Sequence, residues 1–357
     1  MNEPFQLTSA LENHSAGRVE YKPEDETVKK QTDTPWDKFL FTLRDAYKYR
    51  EPLTYTVDGL FSNPSLNIAF GNPGTLKSLL LADCAVHIAT GDAWLGKKVK
   101  QASSMWLDLD NGKRRTHERF ESIGRKAQAF VETPLYYVSM KPFNAGKEKD
   151  INELQETMLM LGIKFLVIDN LGLISPGVDE NSDGMIPIMA KLRWLAETTG
   201  AAIVLIHHQR KSTAKRAGET LRGHTGIESS VDLCLLVERD GESNFIKIKS
   251  TKSRDVDVEP FAAEFCFTHK DNSNELYEAW FEALEFQDTT SDKAIEKVII
   301  DIVTETPLIN QKNLLTSAKS VLQASKNRIR LVVASLEQKN RLKVKEAAHN
   351  AKLYLIE

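Results

Sequence analysis

Short, continuous apolar runs recur through the middle of the chain, and segments with helical spacing separate them. Leu66–Phe70 (LNIAF) predicts a strand ending in Gly71, and Lys77–Thr90 predicts a helix stopped by Gly91. Ser104–Leu109 predicts a strand, Arg114–Lys126 a charged helix, and Leu135–Val138 a weaker strand. Asp150–Leu161 reads as a helix with Asp150 at its N-cap. FLVID (Phe165–Asp169) and AIVLIH (Ala202–His207) are apolar up to their last residue, with a helix over Gly184–Thr199 between them. Strands that do not alternate, separated by helices, predict a parallel sheet covered on both faces. After about Ser230 the pattern changes to LCLLVE, FIKIKS, FAAEFCF and YEAWFE with no helices between. These predict antiparallel strands that extend the sheet.

The flanks differ from this α/β body. Residues 1–33 are polar and carry seven acidic side chains against four basic ones, the composition of a disordered acidic tail. In WDKFLFTLRDAYKY, Trp36, Phe39, Leu40 and Leu43 share one helical face, so segment 34–57 is expected to be an amphipathic helix and linker. It precedes a main domain at 58–288. Residues 292–357 carry twelve basic against seven acidic side chains. Helices over Lys293–Glu305, Gln311–Ser317 and Ser325–Lys339, then strand-like pieces at Arg341–Val344 and Lys352–Ile356, outline a winged helix-turn-helix.

Overall charge adds limits. A formal net charge of −3 over 357 residues excludes a wholly basic or acidic chain. No run approaches the ~20 apolar residues of a membrane span. The N-terminus has neither a basic nor an apolar signal region. Cys84, Cys234 and Cys266 lie far apart without metal spacing, as thiols of a reducing compartment do. A soluble cytoplasmic protein is expected.

The chemistry concentrates at strand ends. Gly71–Ser78 (GNPGTLKS) lies between a strand and a helix and fits the strand–GxxxxGK[ST]–helix phosphate loop, except that Leu76 replaces the last glycine. Such a loop turns backbone N–H groups inward around phosphates and aims a helix N-terminus at them. Gly71, Asn72, Pro73, Gly74, Thr75, Leu76, Lys77, Ser78 and Leu79 are therefore the candidate ATP contacts. Lys77 would reach the β- and γ-phosphates, and Ser78 would hold Mg²⁺. Leu76 needs only helix-like angles if it opens the helix. The competing reading is an ordinary glycine-containing turn. Asp169, closing FLVID, stands where a Walker B aspartate orders Mg²⁺.

In MWLDLDNG, Asp108 and Asp110 alternate at a strand end, and Asp110 is the candidate base for an attacking water. Alternatively, these carboxylates cap the next helix or pair with Lys113, Arg114 and Arg115. His208 at the end of the last apolar strand is the candidate γ-phosphate sensor, with His207 as the alternative. The loop 209–222 carries Arg210, Lys211, Lys215, Arg216 and Arg222, which suits either tracking of a nucleic-acid backbone or a solvated surface. Lys252 and Arg254 follow a strand and could reach a neighbouring subunit's ATP as a finger. DENSDG at 179–184 copies the opening of a calcium loop, but Ala190 stands where the bidentate Glu belongs, so calcium is set aside.

GNPGTLKSLLLADCAVHIATGDAWLGKKV resembles the phosphate-loop segment of plasmid and phage RepA-type replicative helicases, within the RecA/DnaB-like ATPases. The strand before Asp110 is similar to the one whose terminal acid, usually Glu, activates water in DnaB-type enzymes. LRGHTGIESSVD (Leu221–Asp232) is similar to the segment closing their DNA-facing loop, and TKSRD resembles their K-x-R element. The resemblance spans about Asp58–Glu282. It implies a RecA-like mostly parallel sheet with an antiparallel extension. It also implies a hexameric homo-oligomer coupling ATP hydrolysis to movement on single-stranded DNA, with the basic loop in the pore and a primase or initiator as partner. Lys252 and Arg254 would then act on the adjacent subunit's nucleotide. The C-terminal module would add duplex or origin contacts through Lys326, Arg328 and Arg330, or serve as a protein-binding module instead. Two alternatives remain at this stage: another DNA-directed RecA-like ATPase, and a DNA-binding regulator switched by ATP.

Overall fold

A computed structural model describes residues 36, 40–179, 182–208, 225–239, 241–255, 257–286, 292–322, 326–347 and 351–356. The chain divides into two compact units, Met1–Pro52 and Leu53–Glu357. In the first, the helix expected over 36–49 is a single turn among the described residues, α1 (Leu43–Ala46). Thr42 and Asp45 form a capping box around it, with the Asp45 carboxylate accepting from the Thr42 N–H and hydroxyl, both at 2.8 Å. Trp36, Phe41 and Leu43 are exposed. A turn with no buried face gains no packing energy, and helices this short do not propagate on propensity alone.

The second unit opens with a two-stranded ribbon, β1 (Thr54–Val57) and β2 (Phe61–Asn63), which has no signature in the hydrophobic pattern. The α/β body follows as β3 (Ser65–Gly71), α2 (Lys77–Thr90), β4 (Ser103–Asp108), α3 (Lys113–Lys126), β5 (Leu135–Ser139), α4 (Glu148–Met160) and β6 (Ile163–Asp169). Then come α5 (Leu171–Ile174), α6 (Met185–Thr199), β7 (Ala202–His208), α7 (Thr225–Ser230) and β8 (Leu233–Arg239). The last strands are β9 (Phe245–Ser253), β10 (Phe261–His269) and β11 (Leu276–Leu284). They form one sheet in the order β11-β10-β9-β8-β3-β7-β6-β4-β5. This is the RecA-like arrangement, a mostly parallel sheet with helices on both faces and an antiparallel extension.

Two expectations need correction. The strand after Ser230, β8, runs parallel to β3, with Leu233 opposite Asn67, so the antiparallel extension begins only at β9. The connection from β7 to β8 is long enough to carry the chain back to the starting end of the sheet, which a parallel neighbour requires. Asp150 is not the N-cap of α4, because Lys147 holds that place. Asp150 sits one turn inside, where its carboxylate accepts the Asn144 N–H at 2.8 Å.

Burial explains why the strand runs are so apolar. In β6, Phe165 and Val167 enter one core with α2 and α3, while Leu166 and Ile168 enter the opposite core with α4 and α6. In β7, Ala202, Val204 and Ile206 face the first core, and Ile203 and Leu205 the second. Both faces are covered, so both sets of alternating positions must be hydrophobic.

The C-terminal segment comprises α8 (Asp292–Glu305), β12 (Ile309–Asn310), α9 (Gln311–Val321), α10 (Lys326–Gln338), β13 (Lys343–Ala347) and β14 (Ala351–Leu355), and its own core draws on the three helices, β12 and β14. Its small antiparallel sheet has the order β12-β14-β13. Asn310 caps α9 by accepting the Asn313 N–H at 2.9 Å. The buried Tyr354 donates its hydroxyl to Glu337 at 2.9 Å. Among the described residues, no helix is long and apolar enough to cross a membrane.

Candidate functional site

Gly71 ends β3, and the chain turns through residues 72–76 into the N-terminus of α2. A Cβ at Gly71 would meet the Val237 carbonyl oxygen at 2.3 Å, so only glycine lets β3 and β8 approach here. Gly74, at φ +80°, takes the left-handed turn. Leu76 does not adopt the helix-like angles expected of it. It has φ 64° and ψ 14°, a left-handed conformation that glycine would adopt freely. A non-glycine residue there costs ~1–2 kcal/mol. Its partly buried side chain packs against the α2-side core, which offsets part of that cost.

The first turn of α2 contains no acidic side chain and no side-chain cap. Its N–H groups and the positive end of the helix dipole are therefore available to an anion. Lys77 is buried inside the loop, donating to Gly71 O at 3.0 Å, Asn72 O at 2.8 Å and Thr75 Oγ1 at 3.1 Å. Burial pulls its ammonium down to about 8, against the opposing pull of the Asp169 carboxylate. Thr75 donates to Asn72 O at 3.0 Å, Pro73 is exposed, and Leu79 lies in the first turn of α2.

The alternation of the strands brings the remaining groups to the same side. Asp108 follows Trp106, Asp169 follows Val167 and His208 follows Ile206, so each continues the row that faces α2. Their registers place them at one end of the sheet: Gly71 opposite His208, and Asp108 opposite Asp169. Parallel sheets bind ligands at this carboxyl end. His207 points to the opposite face and is buried.

Asp169 is almost fully buried, and burial lifts its carboxyl to about 6. A hydrogen bond from Ser78 and the charge of Arg119 oppose that rise, while Asp108 and Asp110 add to it. Its Oδ2 has no hydrogen-bond donor, although the Arg119 guanidinium stands 3.9 Å away. A buried carboxylate oxygen beside a hydroxyl is a hard-donor pair that fits Mg²⁺, which takes few protein ligands and completes its shell with phosphates and water. Among the described residues no cluster of three His, Cys, Asp or Glu side chains could hold a metal.

The two carboxylates after β4 differ from each other. The strand ends at Asp108, so Asp108 and Asp110 do not alternate along it as expected. Asp108 is fully buried and accepts from the Asp110 N–H (3.2 Å), the Asn111 N–H (2.8 Å), Asn111 Nδ2 (3.1 Å) and Thr116 Oγ1 (3.1 Å). It pairs with Arg119 at 3.4 Å rather than with Lys113, Arg114 or Arg115. It thus holds the turn into α3. Asp110 is exposed. Its charge acts on both Asp169 and His208, which places it over the same cleft. Burial and then the Lys77 charge hold the His208 imidazole below its ordinary value, so it is neutral at pH 7.

Lys252 and Arg254 lie elsewhere. Arg254 N–H bonds Asp232 O, and Asp232 N–H bonds Leu66 O, so this row is five residues back along β3 from Gly71. At ~3.3 Å per residue that is about 16 Å from the phosphate loop. Both side chains bond the last carbonyls of α7: Lys252 to Glu228 O and to Ser229 O (3.2 Å), and Arg254 to Ser229 O. Arg254 also reaches Asp232 at 3.3 Å.

Arg210, Lys211, Lys215, Arg216 and Arg222 lie outside the described residues. In the C-terminal segment, Lys326 is exposed, Arg330 contacts Asn327 at 3.3 Å, and Arg328 pairs with Asp292 of α8 at 3.1 Å.

Sequence reasoning missed two cations at this site. Arg119 in α3 bridges Asp108 and Asp169 and lies over the Trp106 ring, 5.6 Å from its centroid. Arg239, the last residue of β8, donates to Gly74 O at 2.8 Å. Charged runs conceal both, and only tertiary proximity distinguishes them.

A family profile described as an AAA domain matches residues 37–214. No match emerged among curated protein sequences. Among solved structures, that of a DnaB-like replicative helicase, described with its interactions with primase, aligns at TM-score 0.48 and 13% identity over 60% of this chain. This chain spans 61% of that helicase's length. The matched stretch takes in the phosphate loop and the strand ending at Asp169, so residues 37–214 are similar to the AAA-domain family.

Proposed function

We propose that the chain is an ATP-driven helicase that moves along single-stranded DNA as a homo-oligomeric ring, a hexamer of the replicative DnaB-like type. One observation carries this reading. Lys77, Ser78, Asp169, Asp110 and His208 converge at one end of the sheet, while Lys252 and Arg254 lie at the other end, beyond reach of the site in their own chain. Lys252 and Arg254, too far from their own chain's phosphate loop to reach it, would act on a neighbouring subunit's nucleotide.

The residues divide the work. The N–H groups at the start of α2 and the Lys77 ammonium bind the phosphates of ATP, Lys77 exchanging loop carbonyls for phosphate oxygens. Ser78 and Asp169 hold Mg²⁺, which when bound neutralises charge on the β- and γ-phosphate oxygens. Asp110 orients a water and accepts its proton. Neutral His208, at the tip of β7, contacts the γ-phosphate and leads directly into the basic loop 209–224. Arg210, Lys211, Lys215, Arg216 and Arg222 of that loop track the DNA backbone.

The order of elements in residues 292–357 supports a winged helix. Lys326 and Arg330 on α10 suit contacts to duplex or origin DNA, whereas the Asp292 pair competes for Arg328. A primase or an initiator is the protein partner this role calls for. A second reading, a regulator switched by ATP, draws support from the strained Leu76 and the short Asp110 side chain.

Mixing tests the shared site. Lys77→Ala and Arg254→Ala chains should each be inactive in unwinding a forked duplex, and mixed rings should regain part of the activity at interfaces that join two intact halves. Arg254→Ala chains that hydrolyse ATP and unwind at wild-type rates would remove the shared site from the account.

A further inference from the structure

Outside the residues already assigned roles, the guanidinium of Arg239 uses its nitrogens in three directions. Nη1 donates to Gly74 O of the phosphate loop at 2.8 Å, Nη2 to Glu242 O at 3.0 Å, and Nε to Ser243 O. The last two carbonyls belong to the turn joining β8 to β9. Two residues earlier on the same strand, the Val237 carbonyl stands against Gly71 so closely that no Cβ fits between them. The end of β8 therefore meets the phosphate loop at both ends of its glycine-bearing half.

The planarity of the peptide gives this contact a consequence. In a trans peptide, the carbonyl of one residue and the N–H of the next point in opposite directions. Lys77 draws the Gly71 and Asn72 carbonyls toward the middle of the loop, and Pro73 has no N–H to turn inward. Arg239 draws the Gly74 carbonyl toward β8. The Thr75 N–H must then point away from Arg239, into the loop, where it joins the first N–H groups of α2. Lys77 holds the 71–72 and 72–73 peptides and Arg239 the 74–75 peptide, and together they set the direction of the first phosphate-binding donor.

We infer that Arg239 is a positioning residue for the nucleotide, one that presets the Gly74–Thr75 peptide so that the Thr75 N–H faces the phosphates. The inference rests on the nucleotide site proposed above. Its effect lies in binding. A preset donor strengthens the grip on the phosphates of both ATP and ADP, whereas Asp110, Asp169 and His208 govern the step after binding. The charge of the guanidinium supports the same role, since a charge-assisted hydrogen bond holds a carbonyl more firmly than a neutral one.

The test compares the full chain with Arg239→Ala, Arg239→Lys and Lys77→Ala. Binding of N-methylanthraniloyl-ATP and N-methylanthraniloyl-ADP is measured with Mg²⁺, alongside steady-state ATP turnover and urea denaturation. Arg239→Ala is expected to weaken both nucleotides by about tenfold, the loss typical when a supporting partner of a binding group is removed. KM should rise in parallel, and kcat at saturation should stay within about threefold. Arg239→Lys, which keeps one charged donor, should recover part of the affinity. Equal affinities for wild type and Arg239→Ala overturn the inference, as does a tenfold fall in kcat at unchanged KM. Should Arg239→Ala unfold, Arg239→Lys decides, because unchanged affinity and turnover in an intact Lys variant with the alanine effect confined to the urea midpoint would mark a purely structural role. Failure of wild type itself to bind either nucleotide would remove the proposed site, a result distinct from wild-type binding that Arg239→Ala leaves unchanged.

Discussion

Asp108 and Asp110 stand two residues apart, yet their surroundings predict opposite consequences for the same substitution. Asp108 is fully buried, accepts from two backbone N–H groups and two side chains, and neutralises a buried guanidinium. Asp108→Asn keeps the volume but removes the charge opposite Arg119 and turns one acceptor into a donor. Breaking one partner of a buried pair costs ~3–5 kcal/mol. Asp169 still lies 3.9 Å from Arg119 and shares its charge, so about 3 kcal/mol is expected. Asp110 is exposed, and its backbone N–H rather than its carboxylate makes the turn. Asp110→Asn should therefore change stability by under about 0.5 kcal/mol. Turnover should fall by about 10²-fold or more if Asp110 accepts the proton of water. Urea denaturation and steady-state ATPase on the two variants give both quantities. A large midpoint loss in Asp110→Asn, or none in Asp108→Asn, would refute the division of roles.

Three further outcomes follow from the same geometry. Gly71→Ala drives a Cβ against the Val237 carbonyl and should cost about 2–4 kcal/mol, whereas Gly74→Ala, with nothing within 4 Å, should cost about 1 kcal/mol for its left-handed angle; urea midpoints compare them. Burial raises Asp169 from 3.8 to about 6, so the folded chain binds a proton more readily than the unfolded one between those values. The resulting penalty is full above pH 6 and fades as pH falls toward 3.8. Asp169→Asn should accordingly be more stable than wild type at pH 7.5, with the difference shrinking across that window, while Mg²⁺-dependent turnover is lost. Finally, Lys326→Ala and Arg330→Ala in the full chain should weaken binding to duplex DNA and flatten its salt dependence, each removing about one unit of slope. Arg328→Ala should do less, because Asp292 already occupies its guanidinium. Slopes unchanged from wild type in all three would point to a protein-binding role for α10.

The parallel sheet was legible because burial on both faces leaves its mark as unbroken apolar runs, and the phosphate loop because strand, glycines, Lys77, Ser78 and helix stand in register. Other features leave no such mark. The ribbon β1–β2 and the strand β12 are too short for a period to show. Leu76 looks helix-compatible in sequence, and only the observed φ of 64° shows that it takes the angles of the glycine it replaces. The roles of Asp108 and Asp110 separate only when the strand is seen to end at Asp108, which turns one carboxylate inward and leaves the other at the cleft. Arg119 and Arg239 owe their places to contacts with segments far away in sequence, Asp169 in one case and Gly74 in the other. His208 was distinguished from His207 by strand alternation once the even-numbered positions of β7 were seen to face α2.

The proposed role is that of a motor whose ATP site answers to DNA. Its most direct test is the steady-state ATPase rate of the full chain with and without single-stranded DNA, for wild type and Lys77→Ala. Single-stranded DNA should stimulate turnover in wild type, and Lys77→Ala should abolish it. ATP binding with no turnover, or turnover indifferent to DNA, would contradict this role.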